Sequence, residues 1–231
     1  MVFWWDPMYF VFALPALLLA MYAQWKVRAA YTRYLREPNF RGISGVEAAE
    51  MLLRGQGLDH ISIEGTPGEL TDHYDPRTKT LRLSPAVARS RSVAALSIVA
   101  HEVGHALQDA QGYVPLRIRS GLVPAVTVAA WVGPVLFFIG LLFGSPNLAW
   151  AGVLAFSAGA VFALVTLPVE FNASQRGLQL LRTYSLVDNR ELAAAKSVLD
   201  AAALTYVAAL AQTLSTLLYY IFLLGGFRRR D

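Results

Sequence analysis

Four stretches of this chain are long and apolar enough to cross a bilayer, and they restrict how everything between them can fold. They run approximately from Met8 to Trp25, Gly121 to Phe143, Leu148 to Leu167 and Leu204 to Leu224, and a helix needs about 20 residues to span the hydrocarbon core. The third contains no charged residue. Buried helices of a soluble protein are apolar too, but only 16% of the 231 residues are charged, against about 25% in soluble domains. That is too little charge to clothe a water-facing surface, so the chain reads as an α-helical integral membrane protein with about four transmembrane helices. The first stretch reads as an uncleaved anchor and not a signal peptide. Asp6 and no Lys or Arg precede it, basic residues follow it, and no clear small-x-small cleavage site closes it.

Lys and Arg beside the spans set their sidedness. Lys26, Arg28, Arg33 and Arg36 follow the first; Arg117 and Arg119 precede the second; Arg176 and Arg182 follow the third; Lys196 precedes the fourth. The hairpin from Gly144 to Asn147 and the N-terminal tail carry none. Residues 27–120 and 168–203 are therefore expected in the cytoplasm, and the protein in a plasma membrane, the inner membrane of a bacterium. Four spans put Arg228, Arg229 and Arg230 outside, against the rule, so either that tail is tolerated there or the last segment stops short of spanning. The expected order is an anchor over 1–26, an α/β unit over 27–120, a transmembrane hairpin over 121–167, a cytoplasmic helical segment over 168–203, and a last span with a basic tail over 204–231. The net charge of +4 does not suggest nucleic acid, because the basic residues flank apolar segments and form no patch interleaved with aromatics.

The loop between the first two spans has the signals of a small α+β unit. Ser44 and Glu47 have capping-box spacing ahead of "VEAAEMLL", which Gly55 and Gly57 stop. "ISIEG" alternates like a strand, and "GELTDHYDPRTKTLRLSP" like a hairpin turning at Asp-Pro. Ser84-Pro85 starts a helical pattern that breaks near Ser90 and runs to about Gln111, with Gly112 as its stop. The connection "QGYVPLRIR", Gln111 to Arg119, reads as the mobile element of this part.

Deep in that helical pattern lies "HEVGH", residues 101 to 105. Positions i and i+4 of an α-helix share a face, so His101 and His105 can offer imidazole nitrogens to one ion, while Glu102 reaches a water beside it. With four histidines and eight glutamates in the chain, this pattern arises by chance about once in several hundred such sequences. The apolar "VAALSIVA" before it belongs to a buried helix, where unpaired His and Glu are costly. The chain has no cysteine, so a metal must be held by His, Asp or Glu. A catalytic zinc takes three protein ligands and keeps one position open. Glu170, in "LPVEFNASQRGLQLL" just past the third span, is the favoured third ligand; His73 and Asp109 compete. Pro168 is read as a helix break at the bilayer surface. His73 and Tyr74, on the hairpin, are candidates to contact substrate or a developing oxyanion, Gly104 keeps the helix slim for an approaching backbone or substrate, and His60 reads as a surface residue.

"HEVGHALQ", "DHYDPRTKTLRLSP" and "PVEFNAS" with the nearby Arg176 resemble the YugP-type membrane zinc metallopeptidases, a family of neutral zinc metallopeptidases, over most of the chain. More distantly, the layout is similar to that of HtpX and the CAAX prenyl proteases. The resemblance implies a zincin-like gluzincin site, with His101, His105 and Glu170 on Zn2+ and Glu102 as general base. In the HtpX-like pattern an Asp or Asn often stands four residues after the ligand Glu, where this chain has Ser174. Ser174, Asn172 and Arg176 are thus the candidates for supporting the ligands, with Asn172 or another group behind the first histidine. The expected function is zinc-dependent hydrolysis of membrane or juxtamembrane peptide segments at the cytoplasmic face, in contact with the lipid bilayer. The substrate would lie extended along Leu70 to Tyr74 or Thr80 to Leu83. The alternative is a non-catalytic metal-binding scaffold or sensor of the same fold. Gln212, Thr213, Ser215 and Thr216 in the last span read as helix glue and not as a transport path.

Overall fold

A computed structural model of the protein describes residues 7–227; Asp6 and the Arg228, Arg229, Arg230 cluster lie outside the described residues. In chain order the elements are α1 (Pro7–Leu35), α2 (Gly45–Gly55), β1 (Ser62–Gly65), β2 (His73–Asp75), β3 (Thr80–Leu83), α3 (Pro85–Arg89), α4 (Val93–Ala110), α5 (Val114–Leu142), α6 (Pro146–Thr183) and α7 (Asn189–Phe227). The described residues are mostly helical with one small sheet, and α1, α5, α6 and α7 are each long and apolar enough to cross a membrane.

Two helix boundaries differ from the sequence reading. Pro168 does not end a helix: α6 passes through it to Thr183. A proline removes one ladder hydrogen bond, but Val169, Ala173 and Leu181 beyond it are fully buried, and that packing outweighs the loss. The connection over 111–119 is not a long loop either. Gly112, at φ +63°, turns the chain, and α5 begins at Val114 with Pro115 in its first turn, where a missing N–H costs nothing.

The chain divides into two compact units. One comprises the described parts of Met1–Gln24, Ile118–Leu167 and Thr205–Asp231. Small residues let its helices meet closely: a Cβ on Gly140 would lie 2.3 Å from the backbone nitrogen of Ala149, and one on Gly152 would lie 2.4 Å from that of Phe137. Phe137 stacks on Tyr220 with centroids 4.0 Å apart, whereas Trp131, Leu142, Phe143 and Leu154 face outward. Small residues inside and large apolar ones outside suit helices packed in lipid. The Ser215 hydroxyl donates to the Phe12 carbonyl of another helix, and Thr213 and Thr216 donate to carbonyls within α7.

The other unit comprises Trp25–Arg117 and Pro168–Leu204. Its core joins Leu52 and Leu53 of α2, Leu81 and Leu83 of β3, Val99 and Val103 of α4 and Leu181 of α6. The α2 capping box forms as its spacing requires: Glu47 N–H donates to Ser44 Oγ at 3.3 Å, and Ser44 N–H to Glu47 Oε2 at 2.6 Å. Asp75 holds the hairpin turn by accepting from Arg77 N–H, with the Thr78 hydroxyl and Arg82 adding to it; these donors lower its carboxyl to about 2. The sheet order is β1-β3-β2, with β1 parallel and β2 antiparallel to β3. Thr80–Leu83 is thus the central strand and offers no edge. Leu70 sits at φ +56°, so the extended edge is shorter than Leu70 to Tyr74 and consists of His73–Asp75.

Candidate metal centre

Helix α4 presents the motif because Ser92 caps it, accepting from Ala95 N–H at 3.2 Å, and because its apolar face fills the core. His101 and His105 lie one turn apart with ring centroids 4.7 Å apart. Glu170 of α6 completes the group: its Oε2 is 3.3 Å from His101 Nε2 and 3.5 Å from His105 Nε2. One donor atom from each residue lies within 4.8 Å of the others. Two imidazoles and a carboxylate are a donor set suited to zinc, and both Nε2 atoms face the carboxylate while both Nδ1 atoms are held by protein. The residues therefore fit the ion that the motif calls for.

The approach of α4 to α6 depends on two glycines. A Cβ on Gly104 would sit 2.5 Å from the carbonyl oxygen of Ala173, and one on Gly177 would sit 2.9 Å from that of Ala100. The partner atoms are backbone, so an alanine cannot be accommodated by rotating a side chain. Gly104→Ala is expected to push the helices apart, destabilise the protein by about 1–3 kcal/mol and weaken zinc binding. Thermal unfolding and zinc titration of the variant check both.

The surroundings of the donors come from α4, the Gln111 cap that follows it, and α6. His101 Nδ1 lies 3.1 Å from Ser174 Oγ, so Ser174 itself, and not Asn172, stands behind the first histidine. His105 Nδ1 lies 3.0 Å from Gln108 Oε1. The fully buried Gln108 donates from Nε2 to the Val169 carbonyl at 2.8 Å and to Asn172 Oδ1 at 3.0 Å. Arg176 donates to Asn172 Oδ1 at 2.7 Å and to Gln111 Oε1 at 2.6 Å. Asn172 and Arg176 thus support His105 through Gln108. Sequence reasoning missed Gln108, although its place three residues after His105, on the same helix face, was a usable signal.

Glu102 is buried beside the donors, and its Oε2 accepts the Tyr74 N–H of β2 at 2.9 Å. Burial raises its carboxyl above the ordinary range, with His101 and His105 working against the rise. A carboxylate shifted upward is a stronger base at neutral pH. Tyr74 thus reaches the site through its backbone, while its hydroxyl donates to Asp109 Oδ2 at 2.7 Å. Asp109 also takes Lys79 Nζ at 2.5 Å and stands outside the donor group. Burial and Asp109 raise the Tyr74 phenol, which keeps it a donor. His73 is exposed, with Nδ1 2.8 Å from the Thr71 carbonyl, and it too is outside the donor group; His60 is exposed.

A family described as "Putative neutral zinc metallopeptidase" matches residues 9–225. "Putative membrane protease YugP" of Bacillus subtilis (strain 168) is 43% identical over 215 residues, covering 93% of this chain and 96% of that protein. No solved structure matches. A match of this extent, over a chain whose HEVGH histidines meet a glutamate from a later helix, places the protein in that neutral zinc metallopeptidase family.

Proposed function

We propose that the protein is a membrane-embedded zinc-dependent endopeptidase that cleaves membrane or juxtamembrane polypeptides at the cytoplasmic face of a bacterial inner membrane. The observation that carries this reading is the convergence of His101, His105 and Glu170 with Glu102 held beside them. On this reading residues 27–120 and 168–203 work at the membrane surface, and the remaining segments anchor them. Lys and Arg beside the apolar segments support that sidedness. Glu170 follows the third apolar segment by three residues, which favours substrates presented at the bilayer surface.

His101, His105 and Glu170 would hold the ion. Zinc bound there supplies Lewis acidity toward a water and toward the scissile carbonyl. Glu102 accepts a proton from the attacking water on its carboxylate and delivers it to the leaving amine. Tyr74 N–H orients that carboxylate. Among the described residues the outer side of β2 has no strand partner, so an extended substrate can align there by main-chain pairing.

The test is metal content and activity of the full chain purified in detergent. About one zinc per chain is expected, with peptide hydrolysis lost on chelation and restored by zinc. A protein that takes up no zinc after loading, or that cleaves equally well without it, would overturn the reading.

A further inference from the structure

The hydrogen bonds behind His105 can be assigned without ambiguity, because the chain of groups ends in two that cannot exchange roles. An imidazole nitrogen, a glutamine amide and an asparagine amide each donate or accept according to orientation, whereas an arginine only donates and a backbone carbonyl only accepts. Arg176 Nε is 2.7 Å from Asn172 Oδ1, so the atom of Asn172 facing it must be oxygen. That oxygen and the Val169 carbonyl both face the Gln108 amide, at 3.0 and 2.8 Å, so the atom of Gln108 between them must be nitrogen. Gln108 therefore turns its oxygen to His105 Nδ1, 3.0 Å away, and that nitrogen must carry hydrogen. Turning Gln108 over would set its oxygen against two acceptors. Turning Asn172 over would set its nitrogen against the guanidinium.

We propose that Gln108 is a positioning residue, oriented by the Val169 carbonyl and by Arg176 through Asn172, that holds His105 with hydrogen on Nδ1 and leaves Nε2 to bind the metal. This rests on the zinc reading above but not on proteolysis. The two histidines are then held unequally. Ser174 beside His101 carries a hydroxyl, which rotates to donate or accept, so it orients that ring without selecting its tautomer. Gln108 is fully buried and allows His105 one arrangement. Groups that fix a ligating histidine in this way are worth about 10–100-fold in metal affinity.

The experiment compares zinc affinity, by chelator competition, in the full chain purified in detergent. Gln108→Met, of similar size but without hydrogen bonds, and Asn172→Leu are expected to bind zinc about 10–100-fold more weakly. Asn172→Asp is expected to keep wild-type affinity, since an oxygen still faces both Arg176 and Gln108. Nitrogen-15 spectra of the zinc-loaded wild type are expected to show His105 with hydrogen on Nδ1. Affinity unchanged in Gln108→Met, affinity lost as fully in Asn172→Asp as in Asn172→Leu, or metal on Nδ1 would overturn the inference while leaving the zinc site standing. A wild type that binds no zinc would overturn both.

Discussion

Glu102→Gln is expected to abolish peptide hydrolysis, lowering kcat by about 10²–10⁴-fold, while zinc stays bound. On the proposed mechanism Glu102 is the group that moves the proton, and an amide cannot take one. The substitution disturbs little else. Glutamine has the same shape, its oxygen can still accept the Tyr74 N–H that now lies 2.9 Å from Glu102 Oε2, and Glu102 is not among the three donors that converge. Burial, which raises the Glu102 carboxyl, makes a neutral side chain easy to accommodate there. Cleavage at the wild-type rate with normal zinc content would remove Glu102 from the mechanism. Normal zinc with no cleavage in either protein, against a panel of membrane-derived peptides, would favour a metal-binding scaffold.

Glu170→Ala is expected to cost more zinc affinity than any change behind the ligands, hence more than about 100-fold. It removes one of three donors, leaving His101 and His105 as a two-nitrogen site. The loss is to be read by zinc content after dialysis against a weak chelator. Glu170 is only 2% exposed, so truncation also leaves a cavity, and Glu170→Gln separates the two effects by filling the space with a much poorer ligand. Weak binding in both variants supports Glu170 as a ligand. Wild-type zinc content in both would move the third ligand elsewhere. Asp109 and His73 are poorly placed for that part, the first held by Tyr74 and Lys79 and the second exposed.

Much of this architecture was legible because it depends on short-range repetition. An apolar segment of spanning length, a Ser-x-x-Glu cap and histidines four apart on a helix each declare themselves within a few residues, since helical geometry alone brings those positions together. The pairing of strands was not legible. "ISIEG" and the hairpin both alternate as strands do, but alternation does not say which strand lies in the middle, and β1 joins parallel to β3, displacing Thr80–Leu83 from the edge. Pro168 misled for a related reason: its cost is local, whereas the packing that carries α6 through it comes from other elements.

Local sequence patterns suffice for the long apolar helices, the place of HEVGH on a buried helix and the chemistry open to a chain without cysteine. Long-range packing is what makes Glu170 face both histidines, the Tyr74 backbone hold Glu102, and Ser174 and Gln108 stand behind different rings. Those contacts depend on how closely α4 and α6 approach, which Gly104 and Gly177 permit by leaving room for backbone against backbone. Two helices distant in the chain can meet in many registers, and only the packing of their side chains selects one.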